Sequence, residues 1–196
     1  MKIESGTGNG KVAGVDNENR LRVAAVNLPR GHFISKVNQK AYHLIGEATA
    51  ANGTVNVLHM RNQTADQTYV INFIRISQVD LAGGTALPNA SNYFRVVGGL
   101  TYSSGGSSTA AVNGYVGSVT GDGSTHYESN PTLTGTADVF DKHYLKDDGE
   151  EWTYTKQGEL IIPPGGALTI QFVGDHTSGS LYSRVEYYVS PVDSLD

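Results

Sequence analysis

The sequence predicts an all-β sandwich with an extended N-terminal arm, and three observations support this fold class. The 196 residues include 24 Gly but only 17% charged side chains, so small turn-forming residues must supply much of the polar surface. Eleven Tyr, five Phe and one Trp provide the aromatic core material that disordered chains lack. Short β-rich runs recur along the chain with Gly, Pro or Asn between them, which is the pattern of a sandwich or barrel.

The first 28 residues predict an arm that is separate from the main body. Gly6, Gly8 and Gly10 open it, and a backbone without Cβ atoms can follow an uneven surface. Val12–Val15 and Leu21–Val26 are β-like runs on either side of an Asp-Asn-Glu-Asn segment, which favours a turn. We therefore expect a small hairpin within residues 1–28 and a folded domain in residues 29–196.

Ten further β-rich runs predict the strands of the body. They are Phe33–Val37, Ala41–Ala48, Thr54–Arg61, Tyr69–Ser77, Asn92–Val97, Tyr115–Val119, Thr132–Val139, Glu159–Ile162, Ala167–Val173 and Ser180–Val189. In the last run, apolar Leu181 and Val185 alternate with Tyr182 and Arg184, a period of two that places one face on a core. No stretch predicts an amphipathic helix, and Asp138–Lys146 makes a helical turn at most.

The run Tyr69–Ser77 differs from the others because apolar side chains point to both of its faces. Such a strand is either central, with both faces covered, or it meets another subunit on its second face. The second alternative makes a possible subunit interface of Tyr69, Ile71, Phe73, Ile74 and Ile76.

The segment Gly98–Thr125 has a composition close to that of a linker, with 8 Gly, 6 Ser and 4 Thr. Leu100, Tyr102 and Tyr115 are among the apolar anchors within it. It predicts a long loop, or a pair of irregular strands, that projects from the body at about residues 98–125.

Composition and charge exclude several classes of protein. The chain has no Cys, and therefore no disulfide framework or thiolate chemistry. No apolar run approaches the length of a membrane span, and the N-terminus lacks the apolar segment of a signal peptide. Residues 1–98 carry ten basic and six acidic side chains (+4), and residues 99–196 carry four and thirteen (−9), without a basic cluster for nucleic acid. We expect neither a membrane nor a nucleic acid as partner.

Catalytic residue types are neighbours in two stretches, but nothing in the sequence indicates that they are activated. Asp122–His126 and Asp175–Ser178 both contain Asp, Ser and His, whereas a catalytic triad has to converge in space. Both stretches are typical of turns between strands, and no Gly-x-Ser-x-Gly elbow exists. The six His do not pair at a spacing that places two imidazoles on one face. We expect no enzyme and no cofactor; spacing leaves open only a metal site assembled from distant strands.

The densest carboxylate cluster spans residues 147–151. Asp147, Asp148 and Glu150 are weak calcium candidates, because Ca²⁺ takes six to eight oxygen ligands. The twelve-residue pattern of a dedicated calcium loop is missing, so a solvated acidic turn is the favoured interpretation.

Four aromatic residues also allow two interpretations: Trp152, Tyr154, Tyr182 and Tyr188. They can form a platform for sugars or partners, or pack under loops and in subunit contacts. The second interpretation is favoured.

Three patches of the sequence resemble the virion proteins of tailed bacteriophages. The run from Gly8 to Val26 is similar to their opening, a Gly-rich arm followed by a Val-Asp…Asn-Arg-Leu-x-Val hairpin. Val57–Asn62 together with Tyr69–Ile76 resembles a strand pair common there, and Leu160–Ile170 resembles a turn of jelly-roll capsid and decoration proteins.

This resemblance implies a jelly-roll-like antiparallel β-sandwich that acts as a capsid decoration or cement protein. Such a subunit stabilises the head lattice, binds the major capsid protein, is commonly a homotrimer, and lies on the head surface of a virion made in the host cytoplasm. The arm then attaches the subunit to its neighbours, and its candidate partner-binding residues are Lys11, Val12, Val15, Arg20, Leu21, Arg22 and Val23. The alternative is a receptor- or glycan-binding module of a tail or fibre.

Overall fold

The structure, a computed structural model, describes residues 3–4, 12–15, 21–22, 40–114 and 120–191. These ranges contain strands, turns and bends and no helix. The chain divides into two compact units, Met1–Arg30 and Gly31–Asp196. The boundary predicted from the sequence lies two residues earlier, between Leu28 and Pro29.

The first unit contains a three-stranded antiparallel sheet in the order β1-β2-β3. Its strands are β1 (Ile3–Glu4), β2 (Val12–Val15) and β3 (Leu21–Arg22). The hairpin predicted from the turn signal is present, with Val15 opposite Leu21, whereas β1 was not predicted. Four of the predicted arm residues, Val12, Val15, Leu21 and Arg22, lie in these strands, while Lys11, Arg20 and Val23 lie outside the described residues.

The described residues of the second unit form eleven strands in two antiparallel sheets, so the predicted all-β sandwich is confirmed. The strands are β4 (Ala41–Thr49), β5 (Gly53–Arg61), β6 (Gln67–Ala82), β7 (Tyr93–Ser104), β8 (Ser107–Thr109), β9 (Val112–Asn113), β10 (His126–Glu128), β11 (Thr132–Tyr144), β12 (Glu151–Ile162), β13 (Ala167–Gly174) and β14 (Ser178–Pro191). One sheet has the order β11-β7-β13-β5-β10-β8 and the other β12-β6-β14-β4-β9.

The eight long strands pair in a nested way. β4 pairs with β14, β5 with β13, β6 with β12 and β7 with β11, so the first half of the body folds back along the second half. Strands β4 to β7 alternate between the two sheets, and β11 to β14 return in the mirrored order. Nearly every pairing therefore joins residues that are far apart in the sequence.

Alternate side chains of each sheet fill the core between them. On β13, Leu168, Ile170 and Phe172 are buried in one cluster, as the period of two predicts. The rings of Phe94 and Phe172 meet edge to face, with centroids 5.6 Å apart. Each such side chain contributes roughly 1.5–3 kcal/mol when it is fully removed from water.

The Gly/Ser/Thr-rich segment is paired with the body instead of projecting as a loop. β7 pairs antiparallel with β11, and β8 pairs antiparallel with β10, so these strands form a two-stranded ribbon. At the far end of the ribbon, β10 also pairs with β5. The ribbon bends where Gly105 and Gly106 (φ of 69° and 66°) lie opposite Ser129 and Asn130 (φ of 58° each). β9 pairs with β4 in the other sheet, so this segment contacts both sheets.

Three other sequence expectations need correction or lie outside the described part. Asp138–Lys146, for which a helical turn was the most that the sequence allowed, is mainly strand, because β11 continues to Tyr144 along β7. β12 begins at Glu151, eight residues before the predicted start, and Trp152 and Tyr154 in its first half pack on the core. Phe33–Val37 and Tyr115–Val119, predicted as strands, lie outside the described residues.

Candidate functional site

Three tyrosines, an aspartate and a histidine converge inside the sandwich, and we call them the buried polar cluster: Tyr42, Tyr69, Asp122, His126 and Tyr187. The tyrosines stand side by side on β4, β6 and β14, with ring centroids 5.7 Å apart for Tyr42 and Tyr187 and 5.1 Å for Tyr69 and Tyr187. Their hydroxyls all reach the segment just before β10. These rings are therefore both core material and hydrogen-bonding groups.

Each tyrosine hydroxyl has its own acceptor in that segment. Tyr42 donates to the carbonyl of Gly121 and Tyr69 to that of Asp122, both at 3.1 Å. Tyr187 donates to Oδ2 of Asp122, and the Oγ of Ser124 lies 2.5 Å from the Tyr69 hydroxyl. The tyrosines thus fasten residues 121–124 to the five-stranded sheet.

Asp122 is the centre of the cluster. Its Oδ2 also lies 2.7 Å from Nε2 of His126, and its Oδ1 accepts from the Ser124 N–H at 3.1 Å. Burial alone raises the pKa of Asp122, but the hydrogen bonds from His126, Tyr187 and Ser124 outweigh it and hold the pKa below its ordinary value. Burial, followed by the Asp122 charge, raises the pKa of Tyr187. The group at the centre is therefore an ionised carboxylate among neutral tyrosines.

This geometry does not make a catalytic triad. The Ser124 hydroxyl contacts Tyr69 and accepts from the Gln63 N–H at 2.9 Å, while His126 contacts Asp122 instead of Ser124. His126 is fully buried, so its ring is closed to a substrate. A nucleophile needs its base within hydrogen-bond reach, and here that contact is missing.

The second stretch that contains Asp, His and Ser is likewise used for structure. Asp175 accepts from the N–H and hydroxyl of Thr85 at 3.0 and 2.5 Å, and these bonds lower its pKa to about 2. His176 is buried, and its Nδ1 lies 3.1 Å from Oδ1 of Asn92. Both groups fasten the turn between β13 and β14 to the loop that follows β6.

His59 is buried with one ring nitrogen unused. Its Nδ1 lies 2.9 Å from the Thr169 hydroxyl on the neighbouring β13, and its Nε2 has no hydrogen-bond partner among the described residues. Burial, assisted by the charges of His126 and Arg61, lowers the pKa of His59 to about 4. The imidazole is therefore neutral near pH 7.

The acidic turn at residues 147–150 distributes its carboxylates among protein donors. Glu150 binds His143 through Oε1 and the Lys146 N–H through Oε2, both at 2.8 Å. Asp148 accepts from the Leu81 N–H at 3.2 Å, and Asp147 contributes its carbonyl to Gln78. Among the described residues, no three His, Cys, Asp or Glu side chains converge as a metal site would require, so the three calcium candidates do not form a common centre.

The strand predicted as a subunit interface lies inside the body. Tyr69, Ile71, Ile74 and Ile76 are fully buried in the core of the single chain, and only Phe73 is partly exposed. The register of β6 shifts at Asn72, so Tyr69 and Ile71 before the shift and Ile74 and Ile76 after it face the same core. The burial of these four side chains needs no second subunit.

Eight large apolar side chains are exposed among the described residues, and four of them lie on other strands: Ile45, Val79, Val112 and Tyr182. The other four lie on the two edge strands β11 and β12, and we call them the apolar edge: Val139, Phe140, Tyr144 and Ile161. Their side chains are 43%, 51%, 49% and 40% exposed. Phe140 and Ile161 line one cavity of about 190 Å³ between the two edges. Sequence reasoning missed Phe140 and Tyr144 because β11 has three register shifts, which break the period of two.

Comparison with known proteins adds no relative. No family model matches the chain, and no curated protein is similar to it. Within the described residues, no helix is long and apolar enough to cross a membrane.

Proposed function

We propose that this protein is a structural subunit of a virion, held in place by contacts of the apolar edge. The observation that carries the proposal is the exposure of four large apolar side chains on two neighbouring strand edges. Single exposed apolar residues are common, but a group of them, of which Phe140 and Ile161 line one cavity, is typical of a protein–protein contact.

The contact we propose is formed by side chains and not by an added strand. The register of β11 shifts at three places, and Phe140 is the extra residue at one of them, between Val139 opposite Val97 and Asp141 opposite Val96. Bulges of this kind disrupt the row of backbone donors and acceptors that another strand would use. Phe140 and Tyr144 are left as anchors for a complementary surface.

The strand connectivity supports the expectation of a jelly roll. Nested pairing of eight long strands, divided between two sheets, is what two Greek keys in a double-sheet jelly roll produce. That architecture is used by viral capsid domains but also by lectins and cupins, so connectivity alone does not choose among them.

The choice of a phage head rests on the resemblance of the run from Gly8 to Val26. On this proposal the protein is a decoration or cement protein, a homotrimer on the major capsid protein, and the arm unit attaches it to the lattice. The alternative is a receptor- or glycan-binding module of a tail or fibre, which differs in its place on the particle.

The proposal is tested in two steps. First, sedimentation of the full chain should show a trimer, and Phe140→Asp should reduce it to monomers while the exposed control Thr134→Asp does not. Second, electron microscopy of assembled particles should place the chain on the head, and particles that lack it should rupture at lower temperature. A chain that stays monomeric and is absent from virions contradicts the proposal; density on a tail fibre selects the alternative.

The attachment role of the arm has its own test. A chain without residues 1–26 should remain a folded oligomer but should no longer bind heads. Undiminished head binding by this shortened chain would remove the arm from the proposal.

A further inference from the structure

An open groove lies where β4 ends and β14 begins. Its volume is about 430 Å³, within the range of small-molecule sites. The lining residues come from β4, β14 and the turn after β10: Glu47, Ala48, Thr49, Ser129, Asn130, Ser180, Leu181 and Tyr182. The groove shares no lining residue with the buried polar cluster.

The groove presents an aromatic ring beside groups that lack hydrogen-bond partners. Tyr182 is 38% exposed and lies directly opposite Glu47 in the β4–β14 pair. Within the described part of the chain, the Glu47 carboxylate, the Ser180 hydroxyl and the Asn130 amide nitrogen have no protein partner. An apolar ring face therefore lies next to unused donors and acceptors.

The wall opposite the ring is fixed in position. The Ser129 N–H donates to the Glu47 carbonyl at 2.8 Å, and the Asn56 N–H donates to Oδ1 of Asn130 at 2.9 Å. The Glu47 N–H in turn donates to Oε2 of Glu128 at 2.9 Å. Ser129 and Asn130 hold left-handed backbone angles, a conformation that costs non-Gly residues roughly 1–3 kcal/mol each. A ligand would meet a surface that is already arranged, which lowers the entropic cost of binding.

We propose that this groove binds a neutral sugar or an amino sugar. The C–H face of a pyranose packs on an exposed aromatic ring, and its hydroxyls both donate and accept, which suits a carboxylate, an amide and a hydroxyl together. None of the lining residues carries a positive charge, and the Glu47 and Glu128 carboxylates are both close. Sialylated and sulfated sugars are therefore repelled, whereas the ammonium group of an amino sugar is attracted.

The inference does not depend on the proposed place in a virion, since the groove and the apolar edge share no residue. The test uses the full chain on an array of neutral, amino, sialylated and sulfated glycans, followed by titration of free glucose, galactose and glucosamine monitored by saturation-transfer NMR. We expect binding to neutral or amino sugars only. Binding to immobilised glycans but not to free monosaccharides would still support the groove as a site for a longer saccharide.

Two variants locate the binding. Tyr182→Ala should weaken sugar binding at least tenfold, whereas Tyr93→Ala, at a partly exposed tyrosine on β7 outside both the groove and the apolar edge, should leave it unchanged. Glu47→Gln should reduce glucosamine binding about tenfold and glucose binding less than threefold. Thermal unfolding checks that each variant remains folded. Absence of neutral and amino sugar binding, a preference for sialylated glycans, or full binding by Tyr182→Ala would each overturn the proposal.

Discussion

The buried polar cluster and the apolar edge each reverse the usual distribution of residue types. Inside the sandwich, an ionised Asp122 is surrounded by His126 and the hydroxyls of three tyrosines. On the outside, Phe140 and Tyr144 leave about half of their surface in water. The polar group is fully engaged by protein donors, whereas the outer half of each apolar side chain is not covered by any described residue.

The comparison shows that partners, more than residue type, separate a structural group from a functional one. Asp122 and His126 have the composition of a catalytic site, yet each contact they make fastens residues 121–126 to the sheets. Phe140 has the composition of a core residue, yet it lies at an edge bulge with one side exposed. Polar groups whose hydrogen bonds are all made within the chain stabilise the fold, and apolar groups that remain exposed are available to a partner.

Removal of the Asp122 carboxylate is expected to have the largest effect on stability. In Asp122→Ala, two buried donors and one partly buried donor lose their acceptor, because His126, Tyr187 and the Ser124 N–H all point at this side chain. Breaking a buried charged pair costs about 3–5 kcal/mol of unfolding free energy. Urea unfolding at pH 7 measures it, and the exposed control Asp138→Ala should change by less than about 0.5 kcal/mol. A loss below about 1 kcal/mol in Asp122→Ala would show that the cluster is not a stabilising centre.

The sequence predicts the sandwich well because each face-alternating strand carries its own signal. Ala167–Val173 and Ser180–Val189 are nearly the observed β13 and β14, since burial of one face imposes a period of two. The end of β11 was missed because exposure of both faces removes that constraint. The first half of β12 was missed although Trp152 and Tyr154 alternate there with exposed residues. The nested pairing was not predictable from local pattern, because it joins strands such as β4 and β14 across most of the body.

The candidate sites were harder to predict than the strands. The sequence brings Asp122 and His126 together, but not the three tyrosines, which come from β4, β6 and β14 and meet only after the sheets have formed. Tyr69 was predicted at an interface because alternation alone cannot say which face of a doubly apolar strand is covered. The residues of the groove had no signal except the exposed aromatic Tyr182, whose neighbours Glu47 and Asn130 come from other strands and turns.

The second-largest effect is expected from acid, through His59. The folded chain binds a proton on this imidazole only near pH 4, whereas an unfolded chain binds it near pH 6.5. Between these values the unfolded state holds more protons, so stability falls as pH falls, by at most about 3 kcal/mol from this group. Above pH 6.5 both states are neutral and the contribution vanishes.

Urea unfolding between pH 7 and pH 4 measures this loss. His59→Gln retains a polar group for Thr169 and should flatten the decline, whereas His43→Gln, at a partly exposed site, should leave it in place. An unaltered pH profile in His59→Gln would mean that another group is responsible for the acid sensitivity.

Removal of a tyrosine hydroxyl is expected to have a smaller effect on the free energy of unfolding. The size of the loss ranks the hydrogen-bond donors of the buried polar cluster. Tyr187→Phe removes a bond to a charged acceptor, for which the cost is about 1.5–3 kcal/mol, whereas Tyr42→Phe removes one to a neutral carbonyl, about 0.5–1.5 kcal/mol. Both variants keep the stacked rings, so the difference isolates the hydroxyls. Paired urea titrations measure it, and equal losses would contradict an ionised Asp122.

Tyr187→Phe also has a signature in acid. The depressed pKa of Asp122 contributes stability that is present above its unfolded pKa of about 3.9 and is lost as pH falls through the lower folded value. Loss of one donor raises that folded pKa, so the acid limb of the stability profile should become shallower. No such change is expected in Tyr42→Phe, which does not contact the carboxylate.

The smallest effect on the free energy of unfolding is expected at the apolar edge. Phe140→Ser removes a half-exposed ring that packs on one side against Gly98, so the single chain should lose less than about 1 kcal/mol. The buried Phe172→Ser, on the neighbouring sheet interior, is the matched contrast and should cost about 3–5 kcal/mol, since it leaves a cavity in the core. Phe140→Ser should weaken self-association more than Phe172→Ser does, because Phe140 is at the surface and Phe172 is not. Sedimentation of Phe140→Ser at a series of concentrations measures the self-association. If this variant lost stability while its self-association was unaltered, Phe140 would be a core residue.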